Sequence, residues 1–196
     1  TTRQKPQVSI LEALQMPLGG DPELGVLERL ERYIGRQLGD VADSLGVELG
    51  NAKNWAASVV RRAIGVTNDR ALLTEFEQRG ITIKVVPISP RGKVWEAMSF
   101  PRFIHEELAL ERWETCEFRT YIERILIVPL IRSTKRERKE NQVCGRAFFW
   151  SPSDCDLQEM RHDWLRIVRL VRQGRSASLP SYGETLAIHV RPKARN

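Results

Sequence analysis

From 26 to about 45, apolar residues recur at helical spacing: Leu27, Leu30, Ile34, Leu38, Val41 and Leu45. The pattern predicts a helix with one buried stripe, which Gly35 and Gly39 can interrupt. Asn51 is placed to cap a second helix over 52–64, with Trp55, Val59, Val60 and Ala63 inward and Gly65 as its stop. A short third helix is predicted over 70–78, closed by Gly80. The period then changes to two, and β-branched residues take over in ITIKVVPI (81–88), which predicts a strand. Pro90, Arg91 and Gly92 form a turn, after which GKVWEAMSF (92–100) is expected to return as a hairpin partner.

A helix is predicted over 103–111, and central strands over 122–131 and 143–150, with the polar run STKRERKENQ as an exposed loop between them. SPSD at 151–154 starts the longest predicted helix, in which Leu157, Met160, Trp164, Ile167, Val168 and Val171 keep one apolar face. Its other face carries Arg166, Arg169 and Arg172. A last strand is expected in TLAIHV (185–190). Helices followed by a mixed sheet with crossing helices indicate the α/β or α+β class, a mixed central sheet flanked by helices. The expected organisation is an irregular lead-in over 1–24, where QMPLGGDPE lies, and one globular domain over 25–196.

Charge sharpens this picture. The formal net charge of the 196 residues is +6, and the segment from Arg161 to Asn196 holds eight Arg or Lys against two acids, the whole of that imbalance. Such an end suits a polyanion, because each cation set against a phosphate releases condensed counterions. A solvated basic face is the competing reading, for this end as for the loop with Lys135, Arg136, Arg138 and Lys139, which Glu137 and Glu140 dilute. Cys116, Cys144 and Cys155 form no C-x-x-C pair, so neither a disulfide framework nor a zinc site follows from their spacing. No apolar run approaches the roughly 20 residues needed to span a bilayer, and the first residues lack a secretory pattern. No membrane partner and a bacterial cytoplasmic location are expected.

Metal-dependent phosphodiester cleavage needs carboxylates to hold magnesium and a nearby lysine. In sequence, one acid precedes a strand carrying Glu-x-Lys, whose alternate positions face the same ion. The segment ALLTEFEQRGITIKVVPI has this outline, with Glu75 first, Lys84 last and Thr82 where the second carboxylate would stand. His105-Glu106-Glu107 is no zincin helix, since Ala109 occupies the place of the second histidine. His162 and His189 are isolated and read as structural. The spacing from Ala42 to Gly46 also fits a helix-turn-helix.

Glu75-Phe76, Gly80, Ile81-Thr82-Ile83-Lys84 and Pro87 resemble the active-site stretch of MutH and the GATC-cutting restriction endonucleases related to it. WETCEFR (113–119), the ILIVPL strand, FWSPSDCDLQEMRHDW (149–164), GETL and RPKA are similar in the same order, so the resemblance runs from about residue 26 to the end. It implies a restriction-endonuclease-like, MutH-like fold and double-stranded DNA as partner. It also implies a departure in the nuclease centre. Thr82 replaces a carboxylate, Arg61 stands where a further acid lies, and an expected lysine falls at Tyr121 or Glu123. Two negative charges are lost and a positive one gained. Neither metal nor other cofactor is therefore expected in this domain, magnesium belonging to an active relative or parent.

The block EAMSFPRFIHEELALERWE (96–114) is most similar to the C-terminal copy of two-domain family members, which binds a second DNA site and activates a cutting N-terminal copy. By that resemblance the chain is a pseudo-nuclease: an allosteric, DNA-binding effector domain of a type II restriction endonuclease, joined to a catalytic N-terminal domain of the same polypeptide. Lys84, Arg61, Arg91, Lys93, Arg191 and Lys193 are its expected DNA contacts. Thr185 occupies the position at which MutH senses adenine methylation through a tyrosine. Two alternatives stay open: an active magnesium-dependent endonuclease using relocated carboxylates such as Glu77 or Glu96, and a protein-binding relic of the fold.

Overall fold

The computed structural model describes residues 6–16, 19–50, 52, 54–68 and 72–190. In chain order the elements are β1 (Gln7–Val8), α1 (Ile10–Leu14), α2 (Pro22–Glu31), α3 (Leu38–Ser44), α4 (Trp55–Ala63), β2 (Leu72–Leu73), α5 (Thr74–Gln78), β3 (Ile81–Ile88), α6 (His105–Leu110), α7 (Glu117–Ile122), β4 (Arg124–Ile131), β5 (Val143–Cys144), β6 (Phe148–Trp150) and α8 (Asp154–Arg172). The mixed α/β class is as expected from the sequence. The chain divides into two compact units, one of residues 1–99 and 124–150, the other of 100–123 and 151–196.

The first unit is built on β3 and β4, which pair in parallel over eight residues, from Ile81 opposite Arg124 to Ile88 opposite Ile131. β5 and β6 add antiparallel to β4, making a four-stranded mixed sheet. Both long strands are rich in β-branched residues, as strands enclosed by a core are. Ile81, Ile83 and Val85 pack with Val60, Ile64, Phe76 and Leu126 in one apolar cluster. A second cluster joins Leu38, Val41, Trp55, Val59 and Leu130.

In the second unit, Trp164, Ile167, Val168 and Val171 on the apolar stripe of α8 bury against Leu108, Trp113, Cys116 and Ile122. Ser153 caps α8, taking the Asp156 amide on its hydroxyl while the Asp156 carboxylate takes the Ser153 amide at 2.8 Å. No helix among the described residues is long and apolar enough to cross a membrane.

Several expected elements take another form. The helix predicted over 26–45 is two, α2 and α3, parted where Gly35 adopts φ +80°, while Gly39 stays inside α3. Residues 1–24, read as irregular, contain β1, α1 and the start of α2. The segment after the 89–93 turn is not a strand: it makes one bridge, Val94 to Ile88, and β3 takes β4 as its neighbour instead. The run 143–150 breaks into β5 and β6. TLAIHV forms no strand, because the amides of Leu186, Ala187 and Ile188 all point at one carboxylate oxygen of Asp163. The helix-turn-helix reading fails, since residues 45–54 separate α3 from α4, far more than the 3–4-residue turn of that motif. Asn51, the expected cap, lies outside the described residues.

Candidate active site

β3 sets out the centre as the period of two requires. Thr82 and Lys84 share the face opposite Ile81, Ile83 and Val85, opposite Ile125 and Ile127 in register. Glu75 lies in the first turn of α5, just ahead of β3. The parallel pairing of β1 with β2, Gln7 to Leu72 and Val8 to Leu73, carries Ser9 and Ile10 alongside it. The Ser9 hydroxyl donates to Glu75 Oε1 at 2.5 Å, and the Ile10 amide donates to Oε2 at 2.7 Å. Ser9 is also the N-cap of α1, so Glu75 sits at the positive end of that helix and satisfies an amide that has no partner within it. Burial works against the charge on Glu75, but the Ser9 hydroxyl and the Ile10 amide outweigh it and hold the carboxyl below its ordinary range.

Lys84 donates from Nζ to the Ser99 carbonyl at 2.5 Å, and burial holds its ammonium pKa below the usual lysine value. Arg61 lies in the last turn of α4, half-buried. Of the carboxylates considered as relocated ligands, Glu77 is exposed on α5, and Glu96 is paired with Arg132 at 2.8 Å. Among the described residues no three His, Cys, Asp or Glu side chains form a group that could hold a metal ion. A magnesium ion needs oxygen ligands free to turn toward it. Here each oxygen of Glu75 accepts a hydrogen bond from the start of α1, and the β3 position two before Lys84 is Thr82, a neutral hydroxyl where a carboxylate would add charge to a divalent ion's donor set.

A second feature lies at the C-terminal ends of β3 and β4. The turn after β3 is closed by Ser89, whose amide donates to the Lys93 carbonyl at 2.8 Å and whose hydroxyl accepts from the Lys93 amide at 2.9 Å. Gly92 supplies the required φ of +79°. Arg91 and Lys93 are exposed there. The Trp95 indole donates to the Arg132 carbonyl at 3.3 Å, and the Arg132 guanidinium lies 5.7 Å from the centre of the Trp95 ring.

The model of the family described as the DNA mismatch repair enzyme MutH matches residues 64–163, half of the chain, from the end of α4 to the middle of α8. The chain belongs to the MutH family. It is 27% identical over 190 residues to the DNA mismatch repair protein MutH of Haemophilus ducreyi, covering 93% of this chain and 82% of that one. The MutH proteins of Pectobacterium atrosepticum and Shewanella amazonensis are also 27% identical, over 179 and 176 residues, covering 89% and 87% of this chain and 76% and 77% of theirs.

The other expected site residues of this MutH-family chain belong to segments of the sequence outside α5 and β3. Thr185 is half-buried in the loop after α8, in the second unit, and Arg191 and Lys193 lie outside the described residues. Tyr121 donates to Glu117, an interaction that pushes its pKa up to about 12, and Glu123 is exposed. The arginine face of α8 is partly structural: Arg166 donates to the Glu184 carbonyl at 2.6 Å, and Arg172 to the carbonyls of Ala109 and Glu111 at 2.8 and 3.2 Å. Arg169 is exposed. Sequence reasoning missed Ser9 and Asp163. Ser9 followed by an apolar run is a cap signal, though nothing local names Glu75 as its partner. Asp163 is 1% exposed, and its Oδ2 accepts from three successive amides at 2.7–3.1 Å.

Proposed function

We propose that this MutH-family chain binds double-stranded DNA at a GATC-like site without cutting it, and that it is the allosteric effector domain of a type II restriction endonuclease whose catalytic domain precedes it in the same polypeptide. Engagement of both Glu75 oxygens by the start of α1, with Thr82 on β3 at the place of the second carboxylate, carries this reading. Such a centre keeps cations and discards carboxylates, a change that costs cleavage and leaves attraction to phosphate intact. Lys84, Arg61, Arg91, Lys93, Arg191 and Lys193 are the proposed backbone and base contacts, with Thr185 replacing the methylation-sensing side chain. The bacterial cytoplasm is the proposed location.

One observation favours the active-enzyme reading: the relatives matched over most of their length are named as mismatch-repair proteins. A short GATC duplex and a scrambled one, each incubated with and without magnesium across a salt series, separate the two. Salt-dependent, GATC-preferring binding with no product is expected. Magnesium-dependent cutting would overturn the proposal, and absence of salt-sensitive binding would leave the protein-binding relic.

A further inference from the structure

The acids and cations at the C-terminal ends of β3 and β4 are divided unequally. Glu96 is paired with Arg132, Glu140 with Arg138 at 2.6 Å, and the Glu137 carboxylate accepts the Ser133 amide. Lys139 reaches the Ala52 carbonyl at 2.9 Å. Every acid in the two loops, 89–98 and 132–140, is thus engaged within them. Arg91, Lys93, Lys135 and Arg136 are all exposed, and among the described residues none of the four forms an ion pair.

The loops share one origin, because Ile88 and Ile131 are opposite each other in the parallel register. Three contacts then fasten one to the other: the Arg132 amide on the Ile88 carbonyl at 2.9 Å, the Trp95 indole on the Arg132 carbonyl, and the Arg132 guanidinium on Glu96. Arg132 is 7% exposed and is the rivet of this joint.

We propose that these two loops act together as a phosphate clamp on double-stranded DNA, Arg91 and Lys93 from the first and Lys135 and Arg136 from the second, held in a common frame by Arg132, Trp95 and Glu96. The clamp rests on the DNA-binding reading above and adds the second loop to it. Four exposed cations that form no ion pair among the described residues, on two loops fixed at their bases, suit a polyanion whose charges repeat along a line. They touch backbone, so they add affinity to any duplex without choosing a sequence.

The test uses the whole chain and two double variants, Arg91→Ala with Lys93→Ala and Lys135→Ala with Arg136→Ala, titrated with GATC and scrambled duplexes from 50 to 200 mM salt. Each phosphate contact contributes about 0.9 to the logarithmic salt slope. Each double variant should therefore lower the slope by about 2, reducing the affinity lost over that fourfold salt range by about 12-fold, equally on both duplexes. Lys135→Arg with Arg136→Lys should keep the parent slope. An unchanged slope for the 135/136 pair, with the parent binding normally, would overturn the clamp and leave the DNA-binding reading standing. A parent chain that binds neither duplex would end both.

Discussion

Replacing Glu75 should weaken the fold rather than touch a metal. Glu75→Ala removes two hydrogen bonds to a charged acceptor, each worth about 1.5–3 kcal/mol when well made, and strands the amide of Ile10, whose side chain is fully buried. Two circumstances reduce the loss. The carboxylate is half-open to water, and the Ser9 hydroxyl keeps its other contact, accepting from the Glu12 amide at 3.3 Å. The net cost comes to about 2 kcal/mol, and to about 1 kcal/mol for Glu75→Gln, which keeps an acceptor in place.

Urea unfolding at pH 7 measures the first, and hydrogen exchange at the Ile10 amide gives a local readout, with protection falling about 30-fold in the alanine variant. The pH dependence has a definite sign. The folded carboxyl titrates below 4.5, so its stabilisation is complete above that value and fades as pH falls through the lowered folded pKa. The gap between parent and Glu75→Gln should close over the same window. If Glu75→Ala is as stable as the parent and Ile10 stays protected, the two hydrogen bonds carry no stability and the reasoning is wrong; if magnesium raises the Tm of the parent and not of Glu75→Gln, Glu75 is a metal ligand.

Asp163→Asn should cost about 3 kcal/mol in urea unfolding, because an amide group would face three backbone donors now held by a buried carboxylate. Exchange at Leu186, Ala187 and Ile188 should speed up, and unchanged exchange there would refute the assignment. At pH 8 a thiol reagent should modify exposed Cys155 alone, since burial pushes the Cys116 thiol up and that of Cys144 to about 11; three fast thiols in the folded chain would contradict this. Restoring the family's acids with Arg61→Glu, Glu75→Asp and Thr82→Glu together should yield magnesium-dependent plasmid nicking, while Thr82→Glu alone should yield none. Nicking by the single variant would show that Glu75 is free to serve a metal.

Where a periodic pattern ran long enough, the structure was readable from the sequence. β3 and α8 appear close to their expected limits because eight alternating and nineteen helical positions leave little ambiguity of face. α7 and β1 are too short to make a period, and both went unread. TLAIHV alternates like a strand, yet its amides find Asp163, more than twenty residues away, before they find a neighbouring strand. The centre divides in the same way. The placement of Thr82 and Lys84 on one face follows from strand geometry alone. The use of Glu75 does not, because its partners Ser9 and Ile10 lie 66 and 65 residues earlier and meet it only through the pairing of β1 with β2.

The interleaving of the two units bears on how the chain acquires its shape during synthesis. Neither unit is encoded by a continuous stretch, since the chain leaves the first after residue 99, returns at 124 and leaves again after 150. Lys84 must wait for Ile127, its partner in register, and roughly 40 residues take about 2–9 s to emerge from a ribosome. Throughout that interval β3 has an apolar face and an unpaired edge, the condition in which strands associate wrongly. Every residue of the Glu75 cap and of the short β1–β2 pair is synthesised before β3, so the groups that anchor the N-terminal segment are present in the nascent chain throughout this delay.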